Sequence, residues 1–206
     1  LPDATCRIAV LVSGGGSNLE AILQAQESGE LPAQVVLVLS SRSDAFALER
    51  AKRRSIPTAV IERKLFVSES AYQAAVLATV QRAEPHVICL AGYLKKLSPE
   101  FIAAYRGRIL NIHPALLPKF GGAGMYGRFV HQAVLKSGDQ DSGCTVHLVD
   151  EEFDHGPTLA QARVPILPDD TEETLAARVL AEEHRLYPQT IRIFCEKLLG
   201  KQSEPR

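Results

Sequence analysis

An amide and an imidazole stand two residues apart at the end of an apolar run, in Arg108-Ile109-Leu110-Asn111-Ile112-His113-Pro114. In an extended segment residues i and i+2 point to the same side, so Asn111 and His113 share a face. Asn donates hydrogen bonds without carrying charge, and His donates when protonated and accepts when neutral. The pair suits a reaction that builds an oxyanion, such as acyl transfer. Pro114 and Pro118 stop the segment continuing as strand or helix, which predicts that both side chains sit just past a strand end, where an open α/β sheet holds its ligand. The plainer alternative is a strand-to-turn corner whose histidine is satisfied by backbone.

A second stretch with chemical content is Ser13-Gly14-Gly15-Gly16-Ser17-Asn18. Glycines let a backbone approach a ligand closely, and the free N–H groups of a first helical turn favour a phosphate. A plain turn capped by Ser17 is the alternative. It is not a dinucleotide fingerprint, because Leu19 stands where a third glycine is needed, and it lacks the Gly-Lys-Ser/Thr ending of a P-loop. Further on, Gly92-Tyr93-Leu94-Lys95-Lys96-Leu97 reads as a loop able to line a pocket for a flat ligand. The acidic turn Asp150-Glu151-Glu152-Phe153-Asp154-His155-Gly156-Pro157 offers four carboxylates, and spacing alone selects none of them. His86, His147 and His184 read as structural or solvated. No spacing of His, Cys and carboxylates suggests a metal.

The elements that position these residues follow from periodicity. Arg7 to Val12 is a short apolar strand, and Leu19, Ile22 and Leu23 repeat at helical spacing after the glycines. Gln34 to Ser40 and Thr58 to Ile61 read as strands around an amphipathic helix from Asp44 to Arg54, and Ser68 to Arg82 as a helix before the apolar strand Val87 to Ala91. A helix over 98–105 leads to the Asn111 strand. The segment Phe120-Gly121-Gly122-Ala123-Gly124-Met125-Tyr126-Gly127 carries four glycines in seven residues and reads as a mobile or close-packed loop. A helix from Phe129 to Ser137 follows. Cys144 to Val149 and Thr158 to Val164 flank the acidic turn as a hairpin, an antiparallel addition to a parallel sheet. Thr171 caps one long helix or two through Leu199, which Pro188 would kink or interrupt, and a polar tail ends the chain. The fold class is α/β, with helices on both faces of a mostly parallel sheet.

With 206 residues, 46% of them hydrophobic and 23% charged, one domain spanning 1–206 is the expectation. It divides into a phosphate half, about 7–105, and a catalytic half, about 106–200. Lys plus Arg is 23 against 24 for Asp plus Glu, a balance that argues against a general nucleic-acid or membrane surface. No run approaches the roughly 18 apolar residues of a membrane span. Cys6, Cys89, Cys144 and Cys195 form no Cys-x-x-Cys pair and read as buried free thiols of a reducing compartment. The cytoplasm is expected, or an organelle stroma if a targeting segment once preceded Leu1.

Taken together, the glycine turn continued to Leu19, Leu90-Ala91-Gly92-Tyr93, Asn111 through Lys119, and Asp150 through Pro157 resemble the phosphoribosylglycinamide formyltransferases, collinearly from about Arg7 to Tyr187. The resemblance implies a Rossmann-like formyltransferase fold. It implies transfer of the formyl group of 10-formyltetrahydrofolate to the amino group of glycinamide ribonucleotide in purine synthesis, with no metal, no nucleic-acid or membrane partner, and a monomer or homodimer. By this resemblance Asn111, His113 and Asp154 match the catalytic positions. Gly14, Gly15, Gly16, Ser17 and Asn18 fall in the nucleotide-phosphate loop, Glu183 matches the ribose contact, and Leu94, Lys95, Lys96 and Leu97 match the folate loop. The segment Phe120 to Val130 departs from the short family members and resembles another branch, so His131 aligns without being assigned as a substrate ligand. His155 replaces a common small residue, which raises the question of a second imidazole tuning Asp154. Two rivals stand beside this reading. A methionyl-tRNA formyltransferase-like enzyme would need a basic RNA-binding domain for which the chain has no room, and a non-catalytic nucleotide or folate-binding module would have no use for Asn111, His113 and Asp154 together.

Overall fold

The computed structural model describes residues 5–200; the polar tail at 201–206 lies outside them. In chain order the elements are β1 (Cys6–Val12), α1 (Ser17–Glu27), β2 (Ala33–Ser40), α2 (Ala47–Lys52), β3 (Thr58–Val60), α3 (Glu69–Arg82), β4 (Val87–Leu90), α4 (Pro99–Ala104), β5 (Ile109–His113), α5 (Arg128–Ser137), β6 (Asp141–Leu148), β7 (Thr158–Pro165) and α6 (Glu172–Leu198). A short 3-10 turn at Arg63–Leu65, which periodicity did not suggest, precedes α3.

The strands form one seven-stranded sheet in the order β3-β2-β1-β4-β5-β6-β7. The pairings from β3 through β5 are parallel, while β5–β6 and β6–β7 are antiparallel. This is the expected mostly parallel sheet with a hairpin added at one edge. Alternation along β1 explains the two layers. Ile8, Val10 and Val12 face a core with α1, α5 and α6, whereas Ala9 and Leu11 face one with α3 and α4. A strand covered on both faces must be apolar throughout, which is why β1 and β4 lack polar alternation. The chain runs outward from β1 through β2 to β3 and then returns to β4 on the other side, so the strand order reverses between β1 and β4, a place where ligands enter such sheets.

Three differences from the sequence reading have a tertiary reason. The helix expected from Asp44 starts at Ala47, because Ser43 N–H donates to Glu62 Oε1 at 2.7 Å and Arg42 grips the Asp44 carboxylate, pinning the approach as a turn. Asn111 and His113 lie within β5 and not beyond its end, because β6 pairs with Asn111, Ile112 and His113 and carries the strand onward. The helix expected to bend or break at Pro188 is α6, 27 residues without interruption, with Pro188 buried inside it. Proline removes one hydrogen bond of the helix ladder, and packing against the core holds the helix together across that gap.

Candidate active site

β5 brings the amide and the imidazole to one wall of a cavity of about 710 Å³. Antiparallel register places His147 of β6 directly opposite Asn111, and opposed residues in a sheet share a face. Asn111 Nδ2 lies 3.0 Å from His147 Nε2. His147 Nδ1 lies 2.9 Å from the Leu148 carbonyl, to which it donates, so Nε2 is left to accept from Asn111. The turn after β6 then folds Asp154 over both strands. Its Oδ2 stands 3.5 Å from His113 Nδ1, and its Oδ1 stands 3.5 Å from His147 Nε2 and 3.5 Å from Asn111 Nδ2. Asp154 itself has φ 53, a left-handed backbone that sharpens the turn.

The glycine-rich loop is fastened to this cluster. His113 Nε2 donates to the Phe120 carbonyl at 2.8 Å, and Gly122 N–H donates to Asp154 Oδ2 at 3.0 Å. Gly121 makes the approach possible, since a Cβ there would lie 2.6 Å from Leu117 Cδ2 and 3.0 Å from Asp154 Cβ. Burial pulls the His113 imidazole below the ordinary histidine range, and the Asp154 charge offsets only part of that. In the resting site His113 is therefore neutral at pH 7, which the 3.5 Å gap to Asp154 also fits, being longer than a charge-assisted hydrogen bond. Burial pushes Asp154 upward, but the polar groups around it, the His147 and His113 imidazoles and the Gly122 N–H, outweigh that and hold its carboxyl below the ordinary carboxylate range.

His147, read from sequence as structural or solvated, belongs to this cluster. The signal that could have found it was the alternation in β6 combined with a register against β5 that spacing does not reveal. His155 answers the question raised beside Asp154: it is exposed and pairs with Asp150 Oδ2 at 2.9 Å, so the second imidazole at Asp154 is His147. His86 is structural, its Nδ1 accepting from Arg7 N–H.

At the other end of the cavity α1 begins. Gly16 caps it with φ 69, a conformation that suits glycine, and a Cβ there would meet Ala47 Cβ at 2.5 Å. No side chain caps this helix, so its first N–H groups stay open. Ser17 and Asn18 line the cavity, while Gly14 and Gly15 lie outside its wall and turn their carbonyls to Ala47 N–H and Arg50 Nε. Across 165 residues of sequence, Asn18 Nδ2 donates to Glu183 Oε2 at 2.7 Å. Burial pushes the Glu183 carboxyl up to about 7 against the lowering effect of Asn18. Leu94, Lys95, Lys96 and Leu97 line the opposite side, where Leu97 is anchored in the core and Lys96 stands 5.3 Å from the centre of the Phe153 ring. His131, one helical turn into α5, is buried on the same wall. Among the described residues no group of three or more His, Cys, Asp or Glu side chains is arranged to hold a metal.

Residues 6–191 match the model of the formyl transferase family. A phosphoribosylglycinamide formyltransferase of Haemophilus influenzae is 43% identical over 92% of this chain and 87% of its own. The crystal structure of a phosphoribosylglycinamide formyltransferase from Brucella melitensis is 49% identical, with a TM-score of 0.86 over 93% of this chain and 96% of that one. A glycinamide ribonucleotide transformylase 1 from Symbiobacterium toebii superposes with a TM-score of 0.89 at 42% identity, covering 94% of this chain and 89% of that one. With its sheet order, its cavity and this match across most of its length, the chain belongs to the formyl transferase family.

Proposed function

We propose that the chain transfers the formyl group of 10-formyltetrahydrofolate to the amino group of glycinamide ribonucleotide, in purine biosynthesis, with Asn111, His113 and Asp154 as its catalytic residues. The observation that carries this reading is the convergence of those three side chains on one wall of a cavity, between an open helix N-terminus and the Leu94–Leu97 loop. The relatives' names supply the acceptor. The amine attacks the formyl carbon, a carbon–nitrogen bond forms, and the carbonyl pair becomes an oxyanion. Asn111 Nδ2 and the His113 Nε2–H, released from the Phe120 carbonyl as the loop shifts, donate to that oxyanion. His147 holds the Asn111 amide in place. The excess proton on the attacking nitrogen passes through water held by Asp154 to the folate nitrogen as the bond from that nitrogen to the formyl carbon breaks. The oxyanion pair re-forms the carbonyl as that bond breaks, and tetrahydrofolate and the formylated ribonucleotide leave. Ser17, Asn18 and the N–H groups after Gly16 take the phosphate, Glu183 takes the ribose, and Leu94 to Leu97 take the folate. Four free, buried cysteines fit a reducing compartment, cytosol or organelle stroma.

The test is a turnover assay with both substrates, run beside methionyl-tRNA as an alternative acceptor. Formylated ribonucleotide is the expected product. Binding of the ribonucleotide without transfer would make the chain a binding module, and transfer to the tRNA instead would move it to the other branch of the family.

A further inference from the structure

Three cations other than histidine line the cavity, Lys95, Lys96 and Arg128. The two lysines belong to the loop after β4. Arg128 opens α5, is exposed, and among the described residues has no carboxylate within ion-pair distance; its guanidinium lies 5.4 Å from the centre of its neighbour Phe129's ring. Carboxylates crowd the same cavity, since Glu172 and Glu173 of α6 join Asp154 on its wall. With Lys95 and Lys96 on the loop proposed for the folate, a nucleotide phosphate, carrying between one and two negative charges near pH 7, would meet this acidic wall with the roughly half charge of the α1 N-terminus to offset it. At the phosphate end a full positive charge is needed to complete that balance.

The backbone is built to supply one. Gly127 precedes Arg128 with φ 53 and ψ −132, a glycine conformation at the junction of the glycine-rich loop with α5. Three residues on and on the same helix face, His131 is 5% exposed, and its Nδ1 is buried with no hydrogen-bond partner. The cavity side of α5 thus carries an unpaired cation and an unmatched polar ring, as a wall awaiting a polar ligand would. We infer that Arg128 is the phosphate-gripping residue of the amine nucleotide's site, brought to the phosphate by the glycine-rich loop and opposing the open N–H groups of α1. Its planar fork matches two phosphate oxygens at once. The inference rests on the acceptor assigned above and adds to it a residue that couples substrate charge to loop position.

The experiment compares the intact wild-type chain, Arg128→Ala and Arg128→Lys on two acceptors, glycinamide ribonucleotide and the same molecule without its phosphate. Arg128→Ala is expected to raise the KM for the ribonucleotide about tenfold or more, while kcat/KM for the dephosphorylated acceptor and the KM for the folate stay within about twofold. Arg128→Lys keeps the charge without the fork and should recover part of the loss. Added salt should weaken the ribonucleotide more in the wild type than in Arg128→Ala. Equal damage to both acceptors would overturn the assignment and make Arg128 a latch on Glu172 or Glu173; no change in either would make it a solvated side chain. Calorimetric binding of the ribonucleotide needs no turnover and separates this inference from the reaction. Arg128-dependent binding without transfer would overturn the reaction alone, and no binding at all would overturn both.

Discussion

Asp154 faces two imidazoles and one amide at 3.5 Å, so its charge can be removed with little change of shape. Asp154→Asn should lower kcat by a factor of about a hundred or more with little change in either KM. His113→Ala should do comparable damage. In the proposed mechanism the groups act as one unit, so the double mutant should be scarcely worse than either single one, and steady-state kinetics on folded protein that multiplied the two losses would show Asp154 acting independently of His113. Glu183 carries a second residue-scale expectation. Its carboxyl titrates at about 7 in the folded chain against 4.5 when unperturbed, because burial disfavours the charge. The native state therefore holds this proton longer than the unfolded chain does. Stability from this group is intact below about pH 4.5 and is lost as pH rises to about 7. The loss amounts to roughly 3 kcal/mol. Urea unfolding at pH 5 and pH 8 should show a smaller drop in Glu183→Gln than in the wild type; identical slopes would remove Glu183 as the source.

Two elements carry the proposed phosphate end, the glycine turn into α1 and the loop before α5. Ser17 stands in the first turn of α1, whose N–H groups no side chain caps. Ser17→Asp puts a carboxylate where the phosphate is proposed, and repulsion should raise the ribonucleotide's KM far more than the folate's. Equal effects on both would place the phosphate elsewhere. The glycines of the loop suit a mobile or close-packed segment, and its ties to the site are the Phe120 carbonyl on His113 and the Gly122 N–H on Asp154. Amides 121–127 should exchange quickly in the free enzyme and slow when both substrates bind. Exchange as slow as that of β1 without ligand would describe a fixed strap and leave His113 Nε2 permanently occupied. The elements themselves were legible because each is written in local periodicity: an apolar run for β4, a 3.6 repeat for α1, a turn between two alternating runs for the hairpin. Their ends were less so. The starts of α2 and the extension of β5 depend on Glu62 and on β6, partners distant in sequence.

At the scale of the whole molecule, α6 ties the two halves together. Tyr187 is fully buried, and its hydroxyl lies 3.0 Å from the Leu90 carbonyl and 2.9 Å from the Leu110 carbonyl, bridging the strands that carry the site. Tyr187→Phe leaves those carbonyls without this donor and should cost about 1–2 kcal/mol in denaturant unfolding with an unchanged m-value; no loss of stability would mean that the bridge is redundant. What the sequence by itself determined is the kind and order of the elements, the parallel sheet with its hairpin, and the family, because periodicity, turn residues and collinear motifs are local properties of the chain. Asn111 and His113 sharing a face was among these, since alternation is a property of one strand. Tertiary structure alone decided that His147 stands opposite Asn111, that His155 turns away to Asp150, that Asn18 meets Glu183, and that burial outweighs Asp154 at His113. Register, long-range pairing and desolvation are set by the packing of the whole chain at once, and no spacing within one segment carries them.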